Sequence, residues 1–149
     1  MKKILIMGLP GNGKTTLSKL LAAKLKAVHF NADEIRAEVN KDLGFSIEHR
    51  IEHARRMGIL CDIVVRAGHY AIGDFVCPTQ DTRRVFGADY VVWIQRLAHT
   101  RYADTEALFQ PPEDYDLVIT EGEMEFWANY IAAELKSLDK DATPPTMEE

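Results

Sequence analysis

Cysteine is scarce: Cys61 and Cys77 are the only two in the 149-residue chain. Two thiols cannot build the disulfide framework of a small secreted domain, so both read as small buried hydrophobes in a reducing cytoplasm. Long hydrophobic runs are lacking too. None approaches the ~20 apolar residues that span a bilayer, and no membrane partner is expected. The opening Met-Lys-Lys-Ile-Leu-Ile-Met-Gly imitates a secretory leader, but its apolar run ends after about six residues, at Gly8, without a small-residue cleavage pattern. It reads instead as a buried strand. An excess of positive charge is also missing: the formal net charge of −5 argues against holding duplex DNA by bulk electrostatics, while leaving room for a local basic pocket. No internal repeat is present.

What is there belongs to an ordinary soluble globule of one domain, with 46% hydrophobic residues to form a single core. Residues 2–8 are continuously apolar after the lysines, the pattern of a strand buried on both faces of a parallel sheet. Residues 13–25 place Leu17, Leu20, Leu21 and Leu25 on one helical stripe. A short strand over 27–31 and a short helix from Ala32 follow, then a turn near Gly44. Residues 46–68 read as a long helix capped by Ser46 and stopped by Gly68. Further strands are expected over 69–75, 89–94 and 116–121, with a short helix from about Thr79 and a closing helix over 123–138. The remainder, 139–149, reads as a disordered acidic tail beyond a single domain of residues 1–138. Alternating strands and helices imply an α/β fold: a mostly parallel five-stranded sheet covered on both faces.

The most specific feature is Gly8-Leu9-Pro10-Gly11-Asn12-Gly13-Lys14-Thr15, a match to G-x-x-x-x-G-K-[ST] between a strand and a helix. Glycines there let successive N–H groups turn in around phosphate oxygens, and the following helix adds its positive end. Gly8, Gly11, Asn12, Gly13, Lys14, Thr15 and Thr16 are therefore candidate nucleotide-binding residues. Lys14 would reach the terminal phosphates of ATP, and Thr15 would ligate Mg²⁺. The guanine-reading Asn-Lys-x-Asp of a GTPase is lacking: Asn-Lys-Asp-Leu at 40–43 comes too early and is misspaced. A small kinase, an ATP-dependent phosphotransferase with an alcohol group as acceptor, suits the length.

Such chemistry needs an acceptor-side carboxylate, basic residues for an anionic acceptor and a metal. Asp33 follows the second strand and would orient the acceptor hydroxyl, or else cap a helix. Asp74 ends the third strand and suits a metal–water contact, or equally a turn. Arg50 and His53 share a helix face, where they could grip one ligand. His49-Arg50-Ile51-Glu52-His53 also satisfies H-x-x-E-H, a zinc-peptidase pattern, but no third ligand is evident and a hydrolase would leave the glycine loop unexplained.

At this point the residues resemble the adenylylsulfate (APS) kinase family, and above all its shorter relatives common in bacteriophage genomes. The likeness lies in Gly-Leu-Pro-Gly-Asn-Gly-Lys-Thr-Thr-Leu from Gly8, Asn-Ala-Asp-Glu-Ile-Arg from Asn31, Asp-Leu-Gly-Phe-Ser from Asp42, and Asp-Phe-Val-Cys-Pro from Asp74 followed by Thr82-Arg83-Arg84. The family writes the second block D-G-D-N-V-R, the third D-L-G-F-S with a downstream R-x-E-N-x-R-R, and the fourth A-F-I-S-P. The resemblance implies a catalytic set of Lys14, Asp33 and Arg36. Phe45 would stack on the acceptor's base, Arg50 would hold its phosphate or sulfate end, and His53 stands where the family has an acceptor-binding Asn. Asn31, Val76 and Cys77 complete the implied acceptor pocket, and Asn31 marks the loss of one carboxylate. The family's lid is rich in Lys and Arg, whereas here Arg96 and Arg101 are its only basic residues, with Phe109 offered as a second stacking aromatic. The expected acceptor is a nucleotide-like hydroxyl such as that of APS. The alternative is a hydroxymethyl group on a modified base, with nucleic acid as substrate. A second copy of the chain, in a homodimer, is a further candidate partner.

Overall fold

The structure, a computed structural model, describes residues 1–96 and 103–142. Its elements run β1 (Lys3–Met7), α1 (Lys14–Leu25), β2 (Val28–Asn31), α2 (Ala32–Glu38), α3 (Ile47–Arg66), β3 (Ala71–Asp74), α4 (Gln80–Phe86), β4 (Tyr90–Ile94), α5 (Ala103–Leu108), β5 (Leu117–Ile119) and α6 (Met124–Ala142). The strands form one sheet in the order β2-β3-β1-β4-β5, with every pairing parallel. The chain leaves β1 for the β2 edge, returns through β3, then crosses to β4. That reversal beside β1 opens a crevice at the carboxyl ends of β1, β2 and β3, where open α/β sheets bind ligands.

β1 shows why a continuous apolar run was needed. Ile4 and Ile6 enter the cluster under α1 and α6, while Leu5 and Met7 enter the cluster under α3 and α4. All five of its residues are buried. On the second face α3 and α4 approach so closely that a Cβ at Gly58 would lie 2.6 Å from the Phe86 carbonyl oxygen and 3.1 Å from its Cα. The Phe86 ring in turn abuts Gly73, where a Cβ would sit 2.6 Å away. Phe86, fully buried, thus fills the space that two small residues leave on α3 and β3.

The expected strands and helices are present, with boundaries shorter by one to three residues at several ends. One difference has a physical cause. The closing helix runs through Ala142, four residues into the stretch read as a tail, because Asp139 accepts a hydrogen bond from the Tyr70 hydroxyl and lies 3.8 Å from Lys2 Nζ. Residues 143–149 lie outside the described residues. The lid segment contains the six-residue helix α5, while Arg101 falls outside the described residues. Among the described residues no helix is long and apolar enough to cross a membrane.

Candidate active site

The glycine loop closes off the carboxyl end of β1. Gly8 adopts φ 149°, and a Cβ there would sit 2.4 Å from the Ile94 carbonyl oxygen, so only glycine lets the loop pass this close to β4. Gly13 sits at the N-cap of α1 with φ 96°; no side chain caps that end, and no acidic residue occupies the first turn. The α1 N–H groups and its dipole therefore remain available to an anion. Asn12, almost wholly buried, ties the loop together: Nδ2 donates to the Leu9 carbonyl at 2.9 Å, and Oδ1 accepts from the Arg96 N–H at 2.8 Å. Lys14 Nζ donates to the Leu9 carbonyl at 3.2 Å. Burial pushes the Lys14 pKa down, and the charges of Asp74 and then Asp33 oppose that shift.

Beside the loop, three donors converge on one oxygen. Asp74 Oδ2 accepts from Thr15 Oγ1 at 2.9 Å, His29 Nε2 at 2.9 Å and Asn31 Nδ2 at 3.2 Å. Asp74 is buried at the end of β3. Asn31, rather than Asp33, is the N-cap of α2, its Oδ1 accepting from the Glu34 N–H at 3.1 Å. Asp33 is exposed in the first turn of α2 and is free of the capping duty that its residue type allowed. A hydroxyl and a carboxylate within 2.9 Å form an oxygen donor set of the kind Mg²⁺ takes.

Opposite stands a cationic aromatic platform. Phe45 is 67% exposed, unusual for a phenyl ring in a crevice, and two guanidiniums flank it: Arg36 Cζ 4.3 Å and Arg50 Cζ 5.5 Å from the ring centroid. Backbone contacts hold them, Arg36 Nη1 to the Gly44 carbonyl at 2.8 Å and Arg50 Nε to the Phe45 carbonyl at 2.9 Å. Burial and then the Arg50 charge lower the Arg36 pKa, against the pull of Asp33. The local field is thus positive and suits an anionic ligand.

One cavity of about 980 Å³ joins these parts. Its walls include Gly11, Gly13, Lys14, Thr15, Thr16, Asn31, Asp33, Arg36, Phe45, Arg50, His53, Asp74, Val76 and Cys77, with α5 adding Ala103 and Thr105. Gly8 and Asn12 are not among its lining residues and shape the loop from behind. Phe109 is not among them either; it packs on the second core cluster with the Arg83 guanidinium 5.3 Å from its ring centroid.

The H-x-x-E-H pattern dissolves in three dimensions. His49 Nδ1 accepts from the Gly44 N–H at 2.7 Å, Glu52 pairs with Arg55 and Arg56, and His53 turns inward. No cluster of three or more metal-ligating side chains occurs among the described residues. His53 instead belongs to a buried relay. Arg56 Nη1 donates to Asn40 Oδ1 at 3.3 Å, which turns the Asn40 amide so that Nδ2 donates to His53 Nδ1 at 2.9 Å. The His53 proton then resides on Nε2, a buried nitrogen with no hydrogen-bond partner among the described residues.

Burial, then the charges of Arg36 and Arg56, lower the His53 pKa from its ordinary 6.5 to about 4. Between these values the unfolded chain binds a proton that the folded chain refuses. Stability is therefore complete above pH 6.5 and falls as pH drops toward 4, by up to about 3 kcal/mol. Urea melts at pH 7, 5.5 and 4.5 should record this loss, and His53→Asn should flatten it. An unchanged acid limb in His53→Asn would refute the assignment. Glu52, lowered from its ordinary 4.5 to about 2 by its hydrogen bonds from Arg55 and Arg56, adds its own loss from about pH 4.5 downward.

Both thiols are buried and free, each pushed up to about 12 by burial, so neither is a nucleophile near neutral pH. Cys77 takes φ 48°, and its carbonyl accepts from Arg83 Nε at 2.9 Å. His29, Asn40 and Arg83 were not singled out individually from the sequence. His29 and Asn31, two apart on one strand, share a face, a signal available in the alternation itself.

Comparison with known proteins follows the same lines. The sequence profile of adenylylsulphate kinases matches residues 2–92. An adenylyl-sulfate kinase of Oceanobacillus iheyensis is 40% identical over 81 residues, covering 51% of this chain and 41% of the relative. One from Gloeothece citriformis is 34% identical over 85 residues, covering 54% and 48%. The chain thus spans less than half the length of these curated relatives. Among solved structures, the Mycobacterium tuberculosis APS kinase in complex with AMPPNP and APS superposes with TM-score 0.79 at 23% identity, over 91% of this chain and 97% of that one. A sugar kinase from Janibacter shares the fold at TM-score 0.69 and 18% identity, over 97% and 99%. With its glycine loop, its parallel sheet and a profile match across more than half its residues, the chain belongs to the adenylylsulphate kinase family.

Proposed function

We propose that the protein is an ATP-dependent kinase that transfers the γ-phosphoryl group to a hydroxyl of a nucleotide-like acceptor, with adenylyl sulfate the acceptor its relatives' names point to. The observation that carries this reading is the single cavity in which a phosphate loop faces the Phe45 platform across Asp33. ATP lies with its phosphates on Gly11, Gly13, Lys14 and Thr16. The acceptor stacks on Phe45, its anionic end against Arg50 and Arg36, and its remaining edge against His53, Val76 and Cys77. Arg36, 4.3 Å from the ring that holds the acceptor, contacts both the acceptor and the phosphate in flight. Asp33 orients the hydroxyl for in-line attack and takes up its proton. Thr15, with Asp74 through water, would hold Mg²⁺, which when bound would neutralise negative charge developing on the transferring phosphate. A cytoplasmic location is supported by the two free, buried thiols.

The test is transfer of label from γ-labelled ATP. Label should reach adenylyl sulfate only with a divalent ion present, and ADP release should depend on the acceptor. Label reaching hydroxymethylated nucleotides or DNA instead would replace the acceptor. ADP release unaffected by any acceptor would remove the kinase reading.

A further inference from the structure

At the carboxyl end of the β2–β3 pair an amide and a carboxylate stand side by side: Asn31 and Asp74 are register partners. Neighbouring strands lie about 4.8 Å apart, so a carboxylate on either can reach the same hydroxyl. Here Thr15 Oγ1 contacts both, Asp74 Oδ2 at 2.9 Å and Asn31 Nδ2 at 3.2 Å.

We propose that His29 and Asn31 are the positioning residues that hold Asp74 as the metal-side carboxylate of this site. This rests on the kinase reading above. A second carboxylate at 31 would face Asp74 in register and repel it. The amide donates to Asp74 Oδ2 instead, at 3.2 Å. His29 precedes Asn31 by two residues and so shares its face. A carboxylate only accepts, so the His29 proton lies on Nε2 and is donated to the same oxygen, at 2.9 Å. With Thr15, His29 and Asn31 all on Oδ2, the carboxylate plane is fixed from three directions.

The readout is the Mg²⁺-dependent gain in ADP affinity: calorimetric Kd with Mg²⁺ against Kd with chelator, on the full chain. Asp74→Asn, chosen to preserve the buried hydrogen bonds, should cut that gain about tenfold or more through a weaker Kd with Mg²⁺. Asn31→Asp/Asp74→Asn moves the carboxylate to β2 and should recover most of the gain. His29→Phe should lower the gain by a smaller factor, again in the Kd with Mg²⁺. The proposal fails if Asp74→Asn or His29→Phe keeps the full gain, or if the double variant, shown folded by its thermal melt, stays as weak as Asp74→Asn. Absence of ADP binding by the parent protein would sink the kinase reading itself and this proposal with it, a different result from a lost metal increment.

Discussion

Lys14→Met is expected to lower kcat/KM for phosphoryl transfer by about 10²–10³-fold or more, while the ligand-free protein melts no lower than the parent. The catalytic half follows from what a phosphoryl-transfer site does. It performs little covalent chemistry and depends on cations already in place when charge moves to the equatorial and leaving oxygens. Lys14 stands at the positive end of α1, and no acidic side chain in the first turn competes for it. The stability half follows from the direction of its pKa. Burial outweighs the attraction of Asp74 and Asp33, so the folded chain holds the ammonium less willingly than water does. Removing that charge while keeping the aliphatic stem relieves a cost the ligand-free fold bears for function. The two halves separate in one thermal-shift experiment. Ligand at 100 times its Kd adds about 2.7 kcal/mol to the parent. The variant should start at the same midpoint or higher and gain much less from nucleotide. Transfer at the parental rate would show that Lys14 lies off the reaction path.

The features legible from sequence were those in which one short segment carries its own reason. The apolar run of β1, the Gly8–Thr15 loop and the Ser46 cap of α3 each depend on residues within a few positions of one another, and each stands as expected. Features that depend on register were not legible. Asn31 reads as a lost carboxylate until β2 is laid beside β3, when it becomes at once a helix cap and a donor to Asp74. His53 reads as a ligand-gripping partner of Arg50 until Asn40, thirteen residues earlier, is found on its Nδ1. Helical spacing put His49, Glu52 and His53 together but could not say that Glu52 would turn to two arginines and His53 to the core. Phe109, offered as a second stacking aromatic, packs on the second core cluster, a contact between distant segments that no local pattern announces. Helix α5 has only six residues, too few for a periodic pattern to emerge.

Asp33→Asn should reduce kcat by about 10²-fold or more, within the span attributed to a positioned acid–base group, while Mg²⁺-ADP raises the melting midpoint as it does in the parent. The competing explanation for an aspartate at this place is structural, and the fold disposes of it. The N-cap hydrogen bond of α2 comes from Asn31, so Asp33 contributes to the helix only through the dipole, about 0.3–1 kcal/mol. Asparagine is isosteric, and Asp33 is exposed to the cavity, so neither a void nor a buried unpaired group results. What the substitution removes is a negative charge that acts on Lys14 and Arg36, whose pKa values it raises. In the proposed mechanism this carboxylate, acting on both Lys14 and Arg36, orients the acceptor hydroxyl and takes its proton. In the same mechanism nucleotide grip rests on the glycine loop and Lys14, so it should survive, and that survival distinguishes Asp33→Asn from Lys14→Met. A parental kcat in Asp33→Asn would assign the proton to the acceptor's own phosphate or to solvent and leave Arg36 and Arg50 as the acceptor's anchors.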